Sequence, residues 1–154
     1  MQFEIVNTTA QPLLYVTRTS SMDSDEIAAV MGEAFAAIGA FIARSGIAPV
    51  GPPLALYRDW DGETMKVDVG FPVTLEAAVS PEPDIHSGHT PAGKALKAMH
   101  RGSYMNLRKT YGAMEAYIKQ EGLATRDIAW EVYVNDPDTA PEEDLLTEIY
   151  MPLA

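Results

Sequence analysis

At 154 residues the chain is the size of one ordinary domain, and its 22 acidic against 11 basic residues leave a net charge of -11, which argues against nucleic acid as a partner because it repels a phosphate backbone. No cysteine is present, so thiol nucleophiles, disulfides and thiolate metal sites are excluded. No run of about 18 apolar residues offers to span a bilayer, and the opening MQFEIVNTTAQ lacks the basic and apolar regions of a secretory signal, which makes the cytoplasm the expected location.

In chain order, FEIVN at 3–7 reads as an edge strand and LLYVTRT at 13–19 as a second strand. Residues 24–45 place Ile27, Met31, Ala34, Phe35, Ile38, Phe41 and Ile42 at helical spacing. Ser24 is the expected cap, acids follow at 25 and 26, and Gly46 is the expected stop. Two strands follow, one around Leu54–Tyr57 and one over KVDVGFPV at 66–73. Residues 80–93, SPEPDIHSGHTPAG, have the Pro, Gly and Ser content of a mobile surface linker. KALKAMH at 94–100 reads as a strand, and residues 104–121 as a helix with Leu107, Tyr111, Met114, Tyr117 and Ile118 on one stripe, Ser103 as cap and Gly122 as stop. AWEVYVND at 129–136 and LTEIYMPL at 146–153 complete the strands.

The second half repeats the first. A shift of 76 positions pairs Met31 with Leu107, Phe35 with Tyr111, Ile38 with Met114, Phe41 with Tyr117, Gly46 with Gly122, and Leu54, Leu56 and Tyr57 with Trp130, Val132 and Tyr133. With four residues inserted, KVDVGFPV then matches LTEIYMPL. Two strand-helix-strand-strand modules are expected, over about 1–79 and 94–154, joined by the linker at 80–93. Neither unit alone can cover its apolar faces, so the two should pack about a pseudo-twofold axis as one α+β domain with largely antiparallel sheets and a central groove. A filled interface between the halves is the alternative.

Within the matched strands the conspicuous difference is Glu131, whose counterpart is Ala55. Tyr57 and Tyr133 share strand faces with these two positions, so a groove would have two tyrosines flanking one acid. Such a carboxylate suits a cationic or dipolar lipophilic ligand through Coulomb attraction and cation-π contact. It also suits a general base acting on water, with a tyrosine hydroxyl as donor. Tyr111 is a groove candidate near its helix start, whereas Trp130 follows the parity of Val132 and reads equally as core or ligand contact. Trp60 in the turn RDWDGE could cap the groove or stand exposed. His100 reads as a strand-end residue; Asp84, His86 and His89 have spacings a metal could use, but in a Pro- and Gly-rich segment they read as loop, so neither metal nor cofactor is expected. No phosphate loop, nucleophile elbow or metalloprotease motif occurs.

HRGSYMNL at 100–107, TYGAMEAYIKQEGL at 110–123, AWEVYVND and LLTEIYMPL together resemble the GyrI-like small-molecule-binding domain, which also forms the effector-binding half of some multidrug-responsive transcription regulators. The likeness is strongest over 94–153, and the duplication extends it across nearly the whole chain. It implies a central groove with the family's acidic residue at Glu131 and a G-x-Y element at Gly102 and Tyr104, turning Tyr104 into the groove. It further implies a lipophilic, often cationic ligand held among aromatic residues. Some standalone members hydrolyse strained, cyclopropane-containing electrophiles, and the resemblance then makes Glu131 and Tyr104 the catalytic pair. With no helix-turn-helix segment beside it, the chain reads as a standalone member. The family's name also allows inhibition of a topoisomerase-like protein, for which no surface in the sequence can be identified.

Overall fold

The computed structural model describes residues 2–79 and 82–154. All eight strands lie in one antiparallel sheet: β1 (Phe3–Thr8), β2 (Pro12–Ser21), β3 (Leu54–Arg58), β4 (Thr64–Pro72), β5 (His86–His89), β6 (Gly93–Arg101), β7 (Ile128–Tyr133) and β8 (Leu146–Pro152). Two helices, α1 (Ser24–Ser45) and α2 (Leu107–Gln120), complete the α+β domain. The spatial order β1-β6-β8-β7-β3-β4-β2-β5 is symmetric about the β7–β3 pair, and that is where the sequence repeat becomes a pseudo-twofold axis.

The two edge strands are exchanged between the halves. β1 precedes β2 in the chain yet pairs with β6, while β5 precedes β6 yet pairs with β2. Their connections cross and hydrogen-bond each other: the Gln11 amide donates to Thr90 Oγ1 at 2.9 Å, the Thr90 amide to the Gln11 carbonyl at 3.0 Å, and Thr8 Oγ1 to the Pro91 carbonyl at 2.8 Å. Where a linker was expected over 80–93, the described residues 82–93 include a short strand; residues 80 and 81 lie outside the described residues. Residues 86–89 form a strand, Ile85 is buried in the core, and Asp84 and Glu82 form ion pairs with Arg18 at 3.1 Å and Arg44 at 2.6 Å. Gly88 inside the strand and the prolines on either side of it concealed the strand from the sequence pattern.

Helix boundaries follow local chemistry. Asp23, not Ser24, caps α1, its carboxylate accepting from the Glu26 amide at 3.1 Å; Gly46 ends the helix at φ 73°. Before α2 the chain makes a 3-10 turn over Tyr104–Asn106, capped by Ser103, so the α-helix itself starts three residues later than the spacing suggested. Contrary to the expectation from apolar runs, α1 is long and apolar enough to cross a bilayer, at a mean hydropathy of 1.7. Here its Ala34, Ile38 and Phe41 pack instead against Leu14, Val16, Val67 and Val69 of the sheet. Met114 of α2 packs with Leu96, Ala98, Ala129 and Ile149 in a second cluster. Both helices thus cover the same sheet face, one over each half, and Arg108 of α2 hydrogen-bonds Ser24 of α1.

The opposite face carries a cross-strand row running Glu4, Lys97, Tyr150, Trp130, Leu56, Asp68 and Thr17. In it Trp130 stacks on Tyr150 with ring centres 4.7 Å apart, and Asp68 accepts from Arg58 Nε at 2.8 Å and Thr17 Oγ1 at 2.7 Å.

Candidate functional site

Strand alternation places Ala55 and Tyr57 of β3 and Ala129, Glu131 and Tyr133 of β7 on the helix-covered face. Ala55 and Glu131 are direct cross-strand partners as well as repeat equivalents, so they lie on the pseudo-twofold axis itself. Opposed side chains there sit with Cβ atoms roughly 5 Å apart, which leaves room for one large residue across from a small one. Ala55 therefore provides the space into which the Glu131 carboxylate extends.

Three tyrosine hydroxyls donate to that carboxylate. Tyr133 reaches Oε1 at 2.6 Å, Tyr57 reaches the same oxygen at 3.2 Å, and Tyr111 reaches Oε2 at 2.6 Å. Tyr57 and Tyr133 are related by the repeat. Tyr111 is the repeat equivalent of Phe35, whose ring meets Tyr133 edge-on at 5.6 Å. Each half thus supplies two rings, while the acid and the third hydroxyl come from the second half alone.

The site is closed over. Glu131 is 3% exposed, so the floor of the expected groove is filled by these rings. Burial pushes the Glu131 carboxyl above its ordinary 4.5, opposed by the hydrogen bonds from Tyr111, Tyr133 and Tyr57 and, more weakly, by His100. The tyrosines respond in kind. Burial, then the Glu131 charge, holds Tyr57, Tyr111 and Tyr133 well above their ordinary 10.0, so all three are fixed donors at neutral pH.

Tyr104 lies at the margin of this group. Its ring meets Tyr133 edge-on at 5.6 Å, and burial with the nearby charges of Asp136 and Glu131 raises its hydroxyl. Among the described residues it takes no part in the hydrogen bonds around the carboxylate. Its placement depends on His100, a residue that the sequence offered only as a strand end. The buried imidazole bonds the Ser103 carbonyl through Nε2 at 2.9 Å and Thr110 Oγ1 through Nδ1 at 2.7 Å. It fixes the end of β6 to the turn carrying Tyr104 and to the first turn of α2.

Trp130 does not join the group. Strand parity sends it to the far face of the sheet, 4% exposed and stacked on Tyr150. Trp60 is 40% exposed on the β3–β4 turn. Met31, whose sulfur is 3.9 Å from the Tyr57 hydroxyl, and Phe35 also belong to the site. The repeat signalled them, since their equivalents Leu107 and Tyr111 lie on the matching stripe. Among the described residues no cluster of three or more His, Cys, Asp or Glu could hold a metal.

A family model of the GyrI-like small molecule binding domain matches residues 1–154. Among solved structures, the chain is similar to the EcmrR C-terminal domain, at 18% identity and a TM-score of 0.83, covering 99% of this chain and 97% of that one. SAV2435 bound to tetraphenylphosphonium is similar at 13% identity and a TM-score of 0.71, covering 100% and 94%. A hydrolase from Listeria innocua is similar at 18% identity and a TM-score of 0.61, covering 99% and 92%. At these identities the likeness establishes the α+β fold. No curated protein matches the chain.

Proposed function

The chain belongs to the GyrI-like small molecule binding domains, and from that membership we propose that its ligand is a lipophilic organic cation held against Glu131 among Tyr57, Tyr111 and Tyr133, with Tyr104 at the rim. The observation that carries this reading is a buried carboxylate held by hydroxyls and, among the described residues, by no ion pair. A charge removed from water needs a counter-charge or a proton, and burial here favours the proton. An incoming cation supplies the counter-charge and reverses that preference, while the ring faces provide apolar surface and cation-π attraction. Entry requires the rings over Glu131 to part. The presence of tetraphenylphosphonium in a neighbour of the same fold is consistent with such a ligand class.

Hydrolysis is the less supported reading. A general base must meet water, and Glu131 is buried with Oε1 accepting from both Tyr133 and Tyr57, which leaves Oε2, bonded by Tyr111, to take the proton. Tyr104, the other member of the catalytic pair that the resemblance implies, lies beside Tyr133.

Titration of the protein with tetraphenylphosphonium, followed by calorimetry, tests the binding reading. Glu131→Gln keeps the side-chain shape and removes the charge, and should weaken the cation by at least about tenfold, or ~1.4 kcal/mol. Equal affinity in the two proteins would place the ligand elsewhere. Loss of a strained cyclopropane electrophile with time, abolished in the same variant, would instead favour hydrolysis.

A further inference from the structure

Beside Glu131 and its hydroxyl donors, one buried side-chain polar atom among the described residues lacks a hydrogen-bond partner, and it lies on the same sheet face. Thr147 is fully buried, and its Oγ1 has no hydrogen-bond partner among the described residues. β8 is an inner strand, paired with β6 on one side and β7 on the other, so ladder bonds occupy the nearby backbone. Its side-chain neighbours are also engaged. His100, opposite Thr147 across β6–β8, uses both ring nitrogens on Thr110 and Ser103. Tyr133, opposite Thr147 across β7–β8, gives its hydroxyl proton to Glu131.

Register fixes where this hydroxyl stands. Ile149 faces Glu131 and Thr147 faces Tyr133, so Thr147 and Glu131 are diagonal neighbours on the helix-covered face, with Cβ atoms roughly 7 Å apart. Thr147 lies next to the ring that Tyr104 meets edge-on, at the end of the site where α2 begins. Buried hydroxyls are ordinarily paired, and one left unpaired beside a ligand site rewards a ligand able to complete it.

We propose that Thr147 is a second, uncharged pole of the site, hydrogen-bonding a hydroxyl or carbonyl group of the ligand. The ligand class is thereby narrowed to an organic cation that carries such a group on the order of 5–7 Å from its positive centre. This rests on the reading of Glu131 as the partner of the cation.

Butyltriphenylphosphonium and its hydroxybutyl analogue differ only in the terminal hydroxyl, and calorimetric titration with both tests the proposal. Wild type should prefer the hydroxylated cation by about tenfold, the worth of one ordinary hydrogen bond. Thr147→Val, nearly isosteric, should erase the preference while leaving the butyl cation bound as before. Thr147→Ser should retain it. A wild type that binds both cations equally, or a preference that persists in Thr147→Val, overturns the proposal while sparing the role of Glu131. Failure of both cations to bind, or indifference of both to Glu131→Gln, overturns the Glu131 reading and this proposal with it. Ligand-free stability gives an independent readout. Replacing an unpaired hydroxyl by methyl should leave the urea midpoint unchanged or raise it; a lower midpoint would mean that the hydroxyl already serves an internal partner or a fixed water, against the proposal.

Discussion

Ala55 and Glu131 face each other across β3 and β7 on the pseudo-twofold axis, equivalent by sequence repeat and unlike in chemistry. Only one of the two positions can carry a long side chain into the space between α1 and α2. Ala55→Glu would set two carboxylates against each other in a buried site with no cation. The added volume and unpaired charge should cost on the order of 3 kcal/mol in urea unfolding. Ala55→Gly, which removes bulk and adds no charge, should cost far less than that; equal losses would count against charge and volume as the cause.

Stability should depend on pH through Glu131. Burial raises its folded value above the ordinary 4.5, so between 4.5 and the raised value the native state holds a proton that the unfolded chain has released. Stability therefore falls as pH rises through that window and levels off above it. Glu131→Gln should lack this decline, and the difference between the two proteins should move in favour of the glutamine variant with rising pH. Parallel curves from pH 4 to 8 would contradict the assignment. Cation affinity should run the opposite way, strengthening with pH over the same window, because binding favours the ionised carboxylate.

Among the described residues Tyr111 is the one donor to Oε2, and Tyr111→Phe removes it with little change in volume. A hydrogen bond to a charged group contributes about 1.5–3 kcal/mol, but Glu131 can take a proton in compensation, so the loss should approach that range only above its raised value. The reciprocal change at the repeat-equivalent position, Phe35→Tyr, places a hydroxyl near Tyr133 without a defined acceptor. It should not rescue Tyr111→Phe in a double variant.

His100→Phe should loosen the turn that bears Tyr104. It leaves the Ser103 carbonyl and the Thr110 hydroxyl without their imidazole partner, a cost of about 1–3 kcal/mol. Hydrogen exchange should accelerate at residues 102–110 and stay near wild type in α1. Uniform acceleration over the whole chain would mean that the imidazole supports the fold at large instead of this turn.

Removal of residues 2–8 should damage the half to which they do not belong in sequence. β1 covers the outer edge of β6, so its loss should raise exchange in β6 before β2 and leave an exposed strand edge prone to association. Earlier loss of protection in β2 would be incompatible with the exchanged edge strands.

The sequence by itself determined the repeat, both helices, and the central and closing strands, and it singled out Glu131, Tyr57, Tyr111 and Tyr133, whose side chains hydrogen-bond one another in the fold. These are legible because helix and strand periodicities are local and because a duplication makes one unmatched residue, Glu131 against Ala55, stand out. Tertiary structure decided what periodicity cannot carry. β5 is four residues long inside a Pro- and Gly-rich segment, and only its pairing with β2 makes it a strand. Strand parity separated Trp130 from Glu131, but only the placement of both helices on one face put Glu131 on the covered side and Trp130 on the other. The bonds of His100 to Ser103 and Thr110, and the lack of a partner for the Thr147 hydroxyl among the described residues, appear only once the turn, α2 and the paired strands are packed together.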